Sequence, residues 1–388
     1  MKIAYIVRNY DTKGGISGYT AALAARMSLL NDVHIYAASI EGAPANVTGH
    51  IIPSLSSAFL KYRKQYALNV ALEVASFMWA SKCRVTGNDY DIIHSQGDYS
   101  GKCDVYTAHS CHKAWLDIAN SASLGFIERL KKSSLNPLHK LILKSEYYGI
   151  INSRKIIAIS NAVKNELIKY YPSSAGKIEV IYNGVETGRF NPVHRLRYRD
   201  AVRKEYSLSE NDILAVFPAH EFRRKGLLNV CAAMKTLGRD NIYLLVAGRD
   251  DPKKYEAEIS KNDLSKRILF AGERSDIEKL YAAADMMILP TVYEPFGLVI
   301  TEAMASGLPV IVSASAGAAE LITDGVDGLL LKDPNDIAEI AGGIKFVADN
   351  KEESAVIGGK ARKTAEKYSW INCSDKIYSL YETVLKGK

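Results

Sequence analysis

The strongest structural signal in this chain lies between residues 293 and 310, which read Tyr293-Glu294-Pro295-Phe296-Gly297-Leu298-Val299-Ile300-Thr301-Glu302-Ala303-Met304-Ala305-Ser306-Gly307-Leu308-Pro309-Val310. The apolar residues 286–290 before it predict a short buried strand, and Pro309 begins the next strand. Between the strands we expect a helix that opens at residues 296–298, where free backbone N–H groups favour an anion or sugar hydroxyls. Glu294 and Glu302 could then face one cleft. The spacing alone is also compatible with a purely structural alternative, in which Glu294 is an exposed acid that caps the helix and Glu302 is a solvated acid on its surface.

This order of residues resembles the signature of the family-4 retaining glycosyltransferases. The likeness rests on two glutamates separated by seven residues, the Pro-Phe-Gly-Leu-Val segment between them and the Glu-Ala-Met-Ala-x-Gly-x-Pro-Val segment that follows. The resemblance implies that Glu294 contacts the sugar of the donor and that Glu302 holds the ribose hydroxyls. It also implies that the backbone N–H groups of Phe296, Gly297 and Leu298 contact sugar and phosphate.

The length and composition of the chain set the broad class of protein. A chain of 388 residues is long enough for two α/β domains, and 47% hydrophobic with 24% charged residues is typical of a globular protein. No apolar run approaches the ~18 residues that a membrane-spanning helix needs. The apolar residues 3–7 are too few for a signal peptide and predict the first strand. Five scattered cysteines without metal-ligand spacing indicate reduced thiols in a cytoplasmic protein.

The net charge of +7 is unevenly distributed along the sequence. Residues 1–190 hold 22 Lys and Arg against 14 Asp and Glu, a net charge of +8, whereas residues 191–388 hold 28 against 29, a net charge of −1. An excess confined to the first half indicates an acidic partner for that half: nucleic acid, anionic lipid or a phosphorylated acceptor. Nucleic acid is the weakest of these, because no helix-turn-helix, zinc or RNA-binding signature accompanies the charge.

Strand-like runs alternate with helical patterns throughout the chain. We expect strands at residues 3–7, 33–37, 92–94, 156–159, 178–181, 214–217, 243–246, 268–271, 286–289 and 310–312. Such alternation predicts parallel sheets covered by helices on both faces, so the fold class is α/β. The turn-rich segment from Asn183 to Pro192 predicts the boundary between two domains.

The resemblance implies the GT-B arrangement of two Rossmann-like domains. We therefore expect an acceptor-side domain at residues 1–186, a nucleotide-sugar-binding domain at residues 187–368 and a C-terminal helix at residues 369–388. The chain itself shows only that this last helix is amphipathic and must pack somewhere, and the resemblance implies that it crosses back onto the first domain. Its apolar residues are Trp370, Ile377, Leu380, Tyr381, Val384 and Leu385.

A glycine loop follows the first strand and precedes an alanine-rich helix. Its residues Gly14 and Gly15 would let the backbone approach a phosphate, and the helix would supply N–H groups. A plain tight turn fits the pattern equally well, and the spacing differs from the dinucleotide fingerprint. The resemblance implies that both glycines approach the diphosphate of the donor.

A second loop, after the strand at residues 214–217, reads Arg223-Arg224-Lys225-Gly226. A guanidinium and an ammonium before a helix suit a diphosphate, although solvated surface charges are the alternative. The family more often has its Arg five or six residues before the Lys, where this chain has Ala219 and His220. The order Phe-x-Arg-Lys-Gly resembles instead the lipopolysaccharide-core glucosyltransferases. The resemblance thus implies that Arg224, rather than Arg223, joins Lys225 on the donor phosphates.

A predicted strand from Val105 leads into a loop that contains His109, Cys111 and His112. The resemblance implies that His109 lies near the anomeric region of the donor sugar and shares the catalytic position with Glu294. A core histidine bonded to backbone is the commoner case elsewhere, and a metal site is a further alternative. We expect no metal, because a fourth ligand is missing nearby and the family works without one.

Two basic amphipathic stretches, residues 59–64 and 126–132, hold much of the positive charge, and the second continues past Pro137. Aromatic residues beside Lys and Arg can lie on an anionic membrane, and a solvated helix face is the alternative. We expect a cytoplasmic protein. The basic stretches would either bind it peripherally to the inner face of the membrane or form a solvated helix face.

Motifs and resemblance together predict a retaining, metal-independent glycosyltransferase without a cofactor. It would move a hexose-type sugar from a UDP- or GDP-linked donor to a lipid-linked or envelope-glycan acceptor, in polysaccharide or lipopolysaccharide biosynthesis. The alternatives are a nucleotide-sugar epimerase or phosphorylase of the same fold, and a non-catalytic protein that binds nucleotide sugars or a membrane surface. An NAD-dependent dehydrogenase is disfavoured, because the fingerprint is missing after Val7.

Overall fold

The computed structural model describes residues 1–55, 66–85, 87, 89–121 and 136–388, which form two compact units. Unit 1 comprises Met1–Asn183 together with Trp370–Lys388, and unit 2 comprises Gly184–Ser369. The α/β class predicted from the sequence is confirmed, since each unit is a parallel sheet flanked by helices. The basic stretches at residues 59–64 and 126–132 lie outside the described residues.

Unit 1 is built on a seven-stranded parallel sheet. Its strands in chain order are β1 Lys2–Ile6, β2 Asn9–Tyr10, β3 Asp32–Ala37, β4 Ser39–Ile40, β5 Val47–Ile51, β6 Ile92–Ser95, β7 Cys103–Ala108, β8 Ser153–Ala158 and β9 Ile178–Val180. The large sheet has the order β5-β3-β1-β6-β7-β8-β9, and β2 pairs with β4 in a separate small sheet. The helices are Gly15–Met27, Tyr66–Arg84, His112–Ser121, Pro137–Asn152, Asn161–Tyr170 and the 3-10 helix Pro172–Lys177. Central strands are apolar on both faces because helices cover the sheet.

The helix Trp370–Lys386 completes the core of unit 1, so its predicted return to the first domain is confirmed. The Tyr381 hydroxyl shares hydrogen bonds with the Tyr5 hydroxyl at 3.0 Å and with His94 Nδ1 at 2.6 Å. The other ring nitrogen of His94 bonds Thr107 at 2.7 Å. Burial lowers the pKa of His94 to about 3, so this histidine is a neutral core residue. The buried residues of the helix are Trp370, Cys373, Ser374, Ile377, Leu380, Tyr381 and Val384.

Unit 2 is built on a six-stranded parallel sheet. Its strands are β10 Ile213–Pro218, β11 Ile242–Ala247, β12 Ile268–Gly272, β13 Met286–Leu289, β14 Val310–Ser313 and β15 Leu329–Leu331, in the order β12-β11-β10-β13-β14-β15. The helices are His194–Glu205, Leu227–Leu237, Glu256–Lys261, Ile277–Ala283, Leu298–Ala305, Ile337–Asp349 and Lys351–Lys367, with 3-10 helices at Pro252–Lys254 and Gly317–Leu321. Residues 286–289 form the predicted buried strand, and each is wholly inaccessible to solvent.

Each sheet reverses its strand order at one point. In unit 1 the chain moves outward from β1 through β3 to β5 and then restarts at β6 on the other side of β1. In unit 2 it moves from β10 through β11 to β12 and restarts at β13 beside β10. In open parallel sheets, ligands bind outside the carboxyl ends of the strands at such a reversal. The loops after β1 and β6, and those after β10 and β13, are therefore the places to examine.

Candidate active site

The reversal in unit 2 brings together two loops that sequence analysis had singled out separately. The loop after β10 carries Arg224 and Lys225, and the loop after β13 carries Glu294. Lys225 and Glu294 form an ion pair in which the side chains are 10% and 15% exposed. Burial lowers the pKa of the Lys225 ammonium, and the Arg224 guanidinium acts in the same direction. The Glu221 carboxylate partly opposes these two effects, and the resulting pKa of Lys225 is about 7.

Arg224 also links the two loops. One terminal nitrogen of its guanidinium donates to the Tyr293 carbonyl oxygen, and the other lies 2.7 Å from the Glu221 carboxylate. Arg223 lies on the exposed side of the loop, and its backbone N–H donates to the Tyr255 hydroxyl at 3.1 Å. Of the two arginines, Arg224 is therefore the one oriented toward the loop that carries Glu294.

Gly226 permits the close approach of the two loops. It has φ 89°, a left-handed conformation, and an added Cβ would lie 2.3 Å from the carbonyl oxygen of Pro290 at the end of β13. Any side chain here would push the loop away from the strand, so glycine is required. The same residue caps the helix Leu227–Leu237.

The helix predicted to open at residues 296–298 begins at Leu298, with Gly297 as its cap at φ 95°. The 3-10 helix Gly317–Leu321 fixes the turn before it. The Gly317 N–H donates to the Glu294 carbonyl oxygen at 2.9 Å, and the next N–H donates to that of Phe296 at 2.8 Å. Backbone bonds to a neighbouring segment thus hold Glu294 at the mouth of the helix, where the dipole favours negative charge.

Glu302 lies on that helix and takes a different partner from Glu294. The Tyr281 hydroxyl donates to Glu302 Oε2 at 3.2 Å. Burial raises the pKa of the Glu302 carboxyl to about 7, and the Tyr281 bond and the nearby Arg189 guanidinium only partly offset this effect. The two acids therefore have distinct surroundings: Glu294 is paired with a cation, whereas Glu302 contacts the Tyr281 hydroxyl and, among the described residues, forms no ion pair.

The site residues predicted in unit 1 lie at the reversal of its own sheet. Gly14 and Gly15 are exposed, with φ 94° and 63°, and nothing lies within 4 Å of a Cβ added to either. Backbone conformation, not crowding, therefore explains these glycines. His109 follows β7 and lines a cavity of unit 1. Its Nε2 bonds Gln96 Oε1 at 2.9 Å, and burial lowers the pKa of the ring to about 3, so His109 is neutral.

His112, the second histidine of that loop, stacks on Trp115 and bonds His139 at 3.2 Å. Among the described residues, no group of three or more His, Cys, Asp and Glu side chains is arranged to hold a metal ion. Within the same part of the chain, no helix is long and apolar enough to cross a membrane. Cys111 is a free, buried thiol.

Several polar residues around these loops were missed by sequence reasoning. In unit 2 they are Glu221, the carboxylate partner of Arg224, and Tyr281, the partner of Glu302. In unit 1 they are Arg8, Gln96 and Asp98. Position relative to the strands could have indicated the last three, because each lies within three residues of the carboxyl end of β1 or β6.

Two parallel-sheet units, the terminal helix packed on the first, and the Arg-Lys pair beside a glutamate at the reversal of the second define a glycosyltransferase of the GT-B class. Comparison with known proteins gives the family. The model described as Glycosyltransferase Family 4 matches residues 13–189, and that described as Glycosyl transferases group 1 matches residues 199–364. The chain belongs to the glycosyltransferases that combine these two domains.

Relatives and solved structures agree with this assignment. An uncharacterised glycosyltransferase of Methanocaldococcus jannaschii is 27% identical over 311 residues, which cover 79% of this chain and 78% of the relative. The UDP-Gal:alpha-D-GlcNAc-diphosphoundecaprenol alpha-1,3-galactosyltransferase of Escherichia coli is 27% identical over 77% of each chain. The crystal structure of WaaG, a glycosyltransferase involved in lipopolysaccharide biosynthesis, matches with a TM-score of 0.78 and 21% identity over 97% of this chain and 98% of that one.

Proposed function

We propose that this glycosyltransferase is retaining and metal-independent, and that it moves a hexose-type sugar from a UDP- or GDP-linked donor to a lipid-linked or envelope-glycan acceptor. The observation that carries the proposal is the ion pair between Lys225 and Glu294, with Arg224 beside it at the reversal of the sheet in unit 2. Two cations and an acid at a helix start are the groups that a sugar diphosphate requires.

The cations would stabilise the leaving group. When the bond between the anomeric carbon and the diphosphate breaks, negative charge develops on the phosphate oxygens, and Arg224 and Lys225 neutralise it. An ammonium has three N–H donors, so Lys225 can bind phosphate while it keeps its bond to Glu294. These two side chains then perform the charge neutralisation that a divalent ion performs in other transferases. Gly14 and Gly15 would add backbone N–H groups on the side of unit 1.

Retention follows if the acceptor attacks from the face that the diphosphate leaves. A phosphate oxygen of the leaving group then takes the proton of the acceptor hydroxyl, and no protein base is needed. His109 fits this scheme as a neutral hydrogen-bonding group, since its ring is uncharged at neutral pH. Glu294 would position the donor sugar by accepting from its hydroxyls, with its charge maintained by Lys225.

Glu302 would bind the ribose of the nucleotide. It lies on the helix whose start, at Phe296, Gly297 and Leu298, would contact sugar and phosphate, and its carboxylate can accept from two vicinal hydroxyls. UDP is the first candidate nucleotide, because the name of the E. coli galactosyltransferase gives UDP-Gal as its donor. A lipid-linked sugar is the first candidate acceptor, because the same name gives a sugar on diphosphoundecaprenol. GDP is the second candidate nucleotide.

Peripheral membrane binding is supported by one helix of unit 1. On Pro137–Asn152, the exposed residues Lys140, Lys144, Tyr147 and Ile151 recur at helical spacing and so share one face. Basic and amphipathic residues on one face suit an anionic surface. Each such Lys contributes on the order of 1 kcal/mol near an anionic surface, within the screening length of the salt.

Donor binding and transfer test the central proposal. We expect a UDP- or GDP-sugar to raise the melting temperature, because a ligand that binds only the folded state stabilises it by mass action. With that donor, NMR of the product is expected to show the anomeric configuration of the donor, and EDTA is expected to leave the rate unchanged. An inverted product would refute retention, and activity that EDTA abolishes and magnesium or manganese restores would refute metal independence.

Liposome co-sedimentation tests the membrane proposal. We expect binding to vesicles with anionic lipid at low salt, little binding to neutral vesicles, and release at high salt. Lys140→Glu with Lys144→Glu should weaken this binding, whereas Lys360→Glu, an exposed lysine of unit 2, is the matched control. Equal partitioning onto neutral and anionic vesicles, or no binding to either, would refute the membrane proposal and show that the basic face is only a solvated surface.

A further inference from the structure

Unit 1 contains a cavity of about 350 Å³ at the reversal of its own sheet. Arg8 follows β1, Gln96 and Asp98 follow β6, and His109 follows β7. The parallel strands therefore bring these side chains together at the carboxyl end of the sheet. Glu146, from a neighbouring helix, contributes a second carboxyl group. The volume is within the ~300–1,000 Å³ of small-molecule sites.

Gln96 has a buried polar atom without a partner in the described part of the chain. The residue is 1% exposed, and its side-chain nitrogen makes no hydrogen bond there, while its Oε1 is bonded to His109 Nε2. Rotating the amide by half a turn would exchange the two atoms and leave the oxygen unpaired instead. In either orientation one polar atom of a cavity-lining amide lacks a partner, which a ligand hydroxyl would supply.

Asp98 has a left-handed backbone conformation and pairs with Arg8. Its φ is 50°, in the left-handed region that non-glycine residues rarely occupy. Its Oδ2 lies 3.4 Å from Nε of Arg8, and that nitrogen makes no hydrogen bond among the described groups. The Asp98 carboxyl group also accepts from the Ser145 side chain, so the unpartnered atom of the pair is Nε of Arg8, while the carboxyl oxygens keep further lone pairs.

The charges around the cavity select against an anion. Burial lowers the pKa of His109 to about 3 and that of His112 to about 4, so both rings are neutral. Among the described residues that line the cavity, one guanidinium, from Arg8, remains against the two carboxyl groups of Asp98 and Glu146. Burial raises the pKa of both acids, and the Glu146 oxygens already accept from the His112 N–H and the Tyr171 hydroxyl. A phosphate or carboxylate would meet two acids and one cation that is already paired, whereas neutral hydroxyls can bond to Arg8 and Asp98.

We propose that this cavity binds the terminal sugar of the acceptor as an uncharged hexose-type ring, with the Gln96 amide and the Asp98 carboxyl group selecting its hydroxyls. The amide donates to one hydroxyl, and the carboxyl group accepts from another. This inference rests on the proposed function, because it assigns the acceptor of the same reaction. It makes Gln96 and Asp98 specificity-determining residues that contact the acceptor and not the donor.

The substitution Gln96→Glu isolates the unpartnered atom. A carboxylate oxygen still accepts from His109, while the other atom changes from a donor to an acceptor. We expect KM for the acceptor to rise about tenfold or more, which corresponds to about 1.4 kcal/mol, with donor affinity unchanged. The melting temperature should fall, because the new carboxylate is buried beside a neutral His109. Asp98→Asn should likewise raise the acceptor KM, whereas Asp117→Asn, at an exposed carboxylate bonded to Tyr170, is the matched control. An unchanged acceptor KM in Gln96→Glu would overturn the assignment.

Alkyl glycosides test the chemical class with the wild-type protein. The probes are octyl glucoside, octyl galactoside and octyl N-acetylglucosaminide, with octyl glucuronide and octyl phosphate as charged counterparts, and the readout is nucleotide release above the acceptor-free rate. We expect acceleration by at least one neutral glycoside and by neither charged probe. Donor-induced stabilisation without acceleration by any neutral glycoside would overturn this inference alone. If no nucleotide sugar stabilises the protein, the proposed function fails and this inference fails with it.

Discussion

Lys225 and Glu294 form a buried ion pair that joins the loop after β10 to the loop after β13. The pair connects two motifs that are far apart in the sequence and that the family resemblance assigns to different parts of the donor. Each residue therefore supports the other, because either one alone would lack its partner in a poorly solvated position. The site is thus partly organised before any donor binds.

The first prediction concerns the stability that this pair provides. Lys225→Met and Glu294→Gln should each destabilise unit 2 by about 3 kcal/mol, because the remaining partner is left as an uncompensated buried group. The double variant should be less destabilised than the sum of the two. Denaturant unfolding measures all three, and Lys345→Met, which breaks the exposed pair with Asp349, serves as the control with a much smaller effect. Additive effects of the two substitutions would show that the pair is not coupled.

The second prediction separates two adjacent arginines. Arg224→Ala should reduce transfer about 10²- to 10³-fold, because it removes a charged donor that stabilises the leaving diphosphate. Arg223→Ala should remain close to the wild type, since its side chain lies on the exposed side of the loop. Steady-state rates with a saturating donor, with circular dichroism to verify folding, give the comparison. Equal losses in the two variants would remove the distinction that the loop geometry suggests.

The third prediction distinguishes the two glutamates by ligand. Glu302→Gln should weaken the binding of free UDP or GDP, because the amide offers the ribose one acceptor oxygen where the carboxylate offers two. Glu294→Gln should bind the free nucleotide nearly as the wild type does and transfer sugar poorly. Isothermal titration with the nucleotide and turnover of the nucleotide sugar measure the two effects. If the free nucleotide binds both variants alike, the ribose and sugar assignments are wrong.

The fourth prediction follows from the raised pKa of Glu302, about 7 in the folded state against an ordinary value of 4.5. Between these two values the folded state binds more protons than the unfolded state, so stability should fall as pH rises from about 4.5 to 7 and then level off. The loss is on the order of 1 to 3 kcal/mol. Glu302→Gln should flatten the profile, measured by denaturant unfolding at a series of pH values. Glu353→Gln, at an exposed glutamate, is the control, and an unchanged slope in Glu302→Gln would assign the titration to another group.

The sequence predicts the strands that are buried on both faces, but it misses one edge strand of each large sheet. Met286–Leu289 was predicted to the residue, because four consecutive buried apolar residues form a clear pattern. Val47–Ile51 was missed, since this edge strand of Val-Thr-Gly-His-Ile is largely exposed and shows no apolar run. Leu329–Leu331, the three-residue edge strand of unit 2, was missed because it is too short to show a period.

The candidate site was predictable where motifs are contiguous and unpredictable where the fold supplies the neighbour. The helix start at Leu298 and its glycine cap follow from adjacent residues. The contacts of Lys225 with Glu294 and of Tyr281 with Glu302 depend on which strands lie side by side, which no single segment specifies. The roles assigned to these side chains remain predictions.

The helix Trp370–Lys386 also has a consequence for biosynthesis. A ribosome produces residues 1–183 early, but Tyr5 and His94 receive their partner Tyr381 only after all of unit 2 has been translated. At about 5 to 20 residues per second this interval is roughly 10 to 40 s. The nascent first unit spends that time with part of its core uncovered, whereas unit 2 is continuous in sequence and can fold as soon as it emerges.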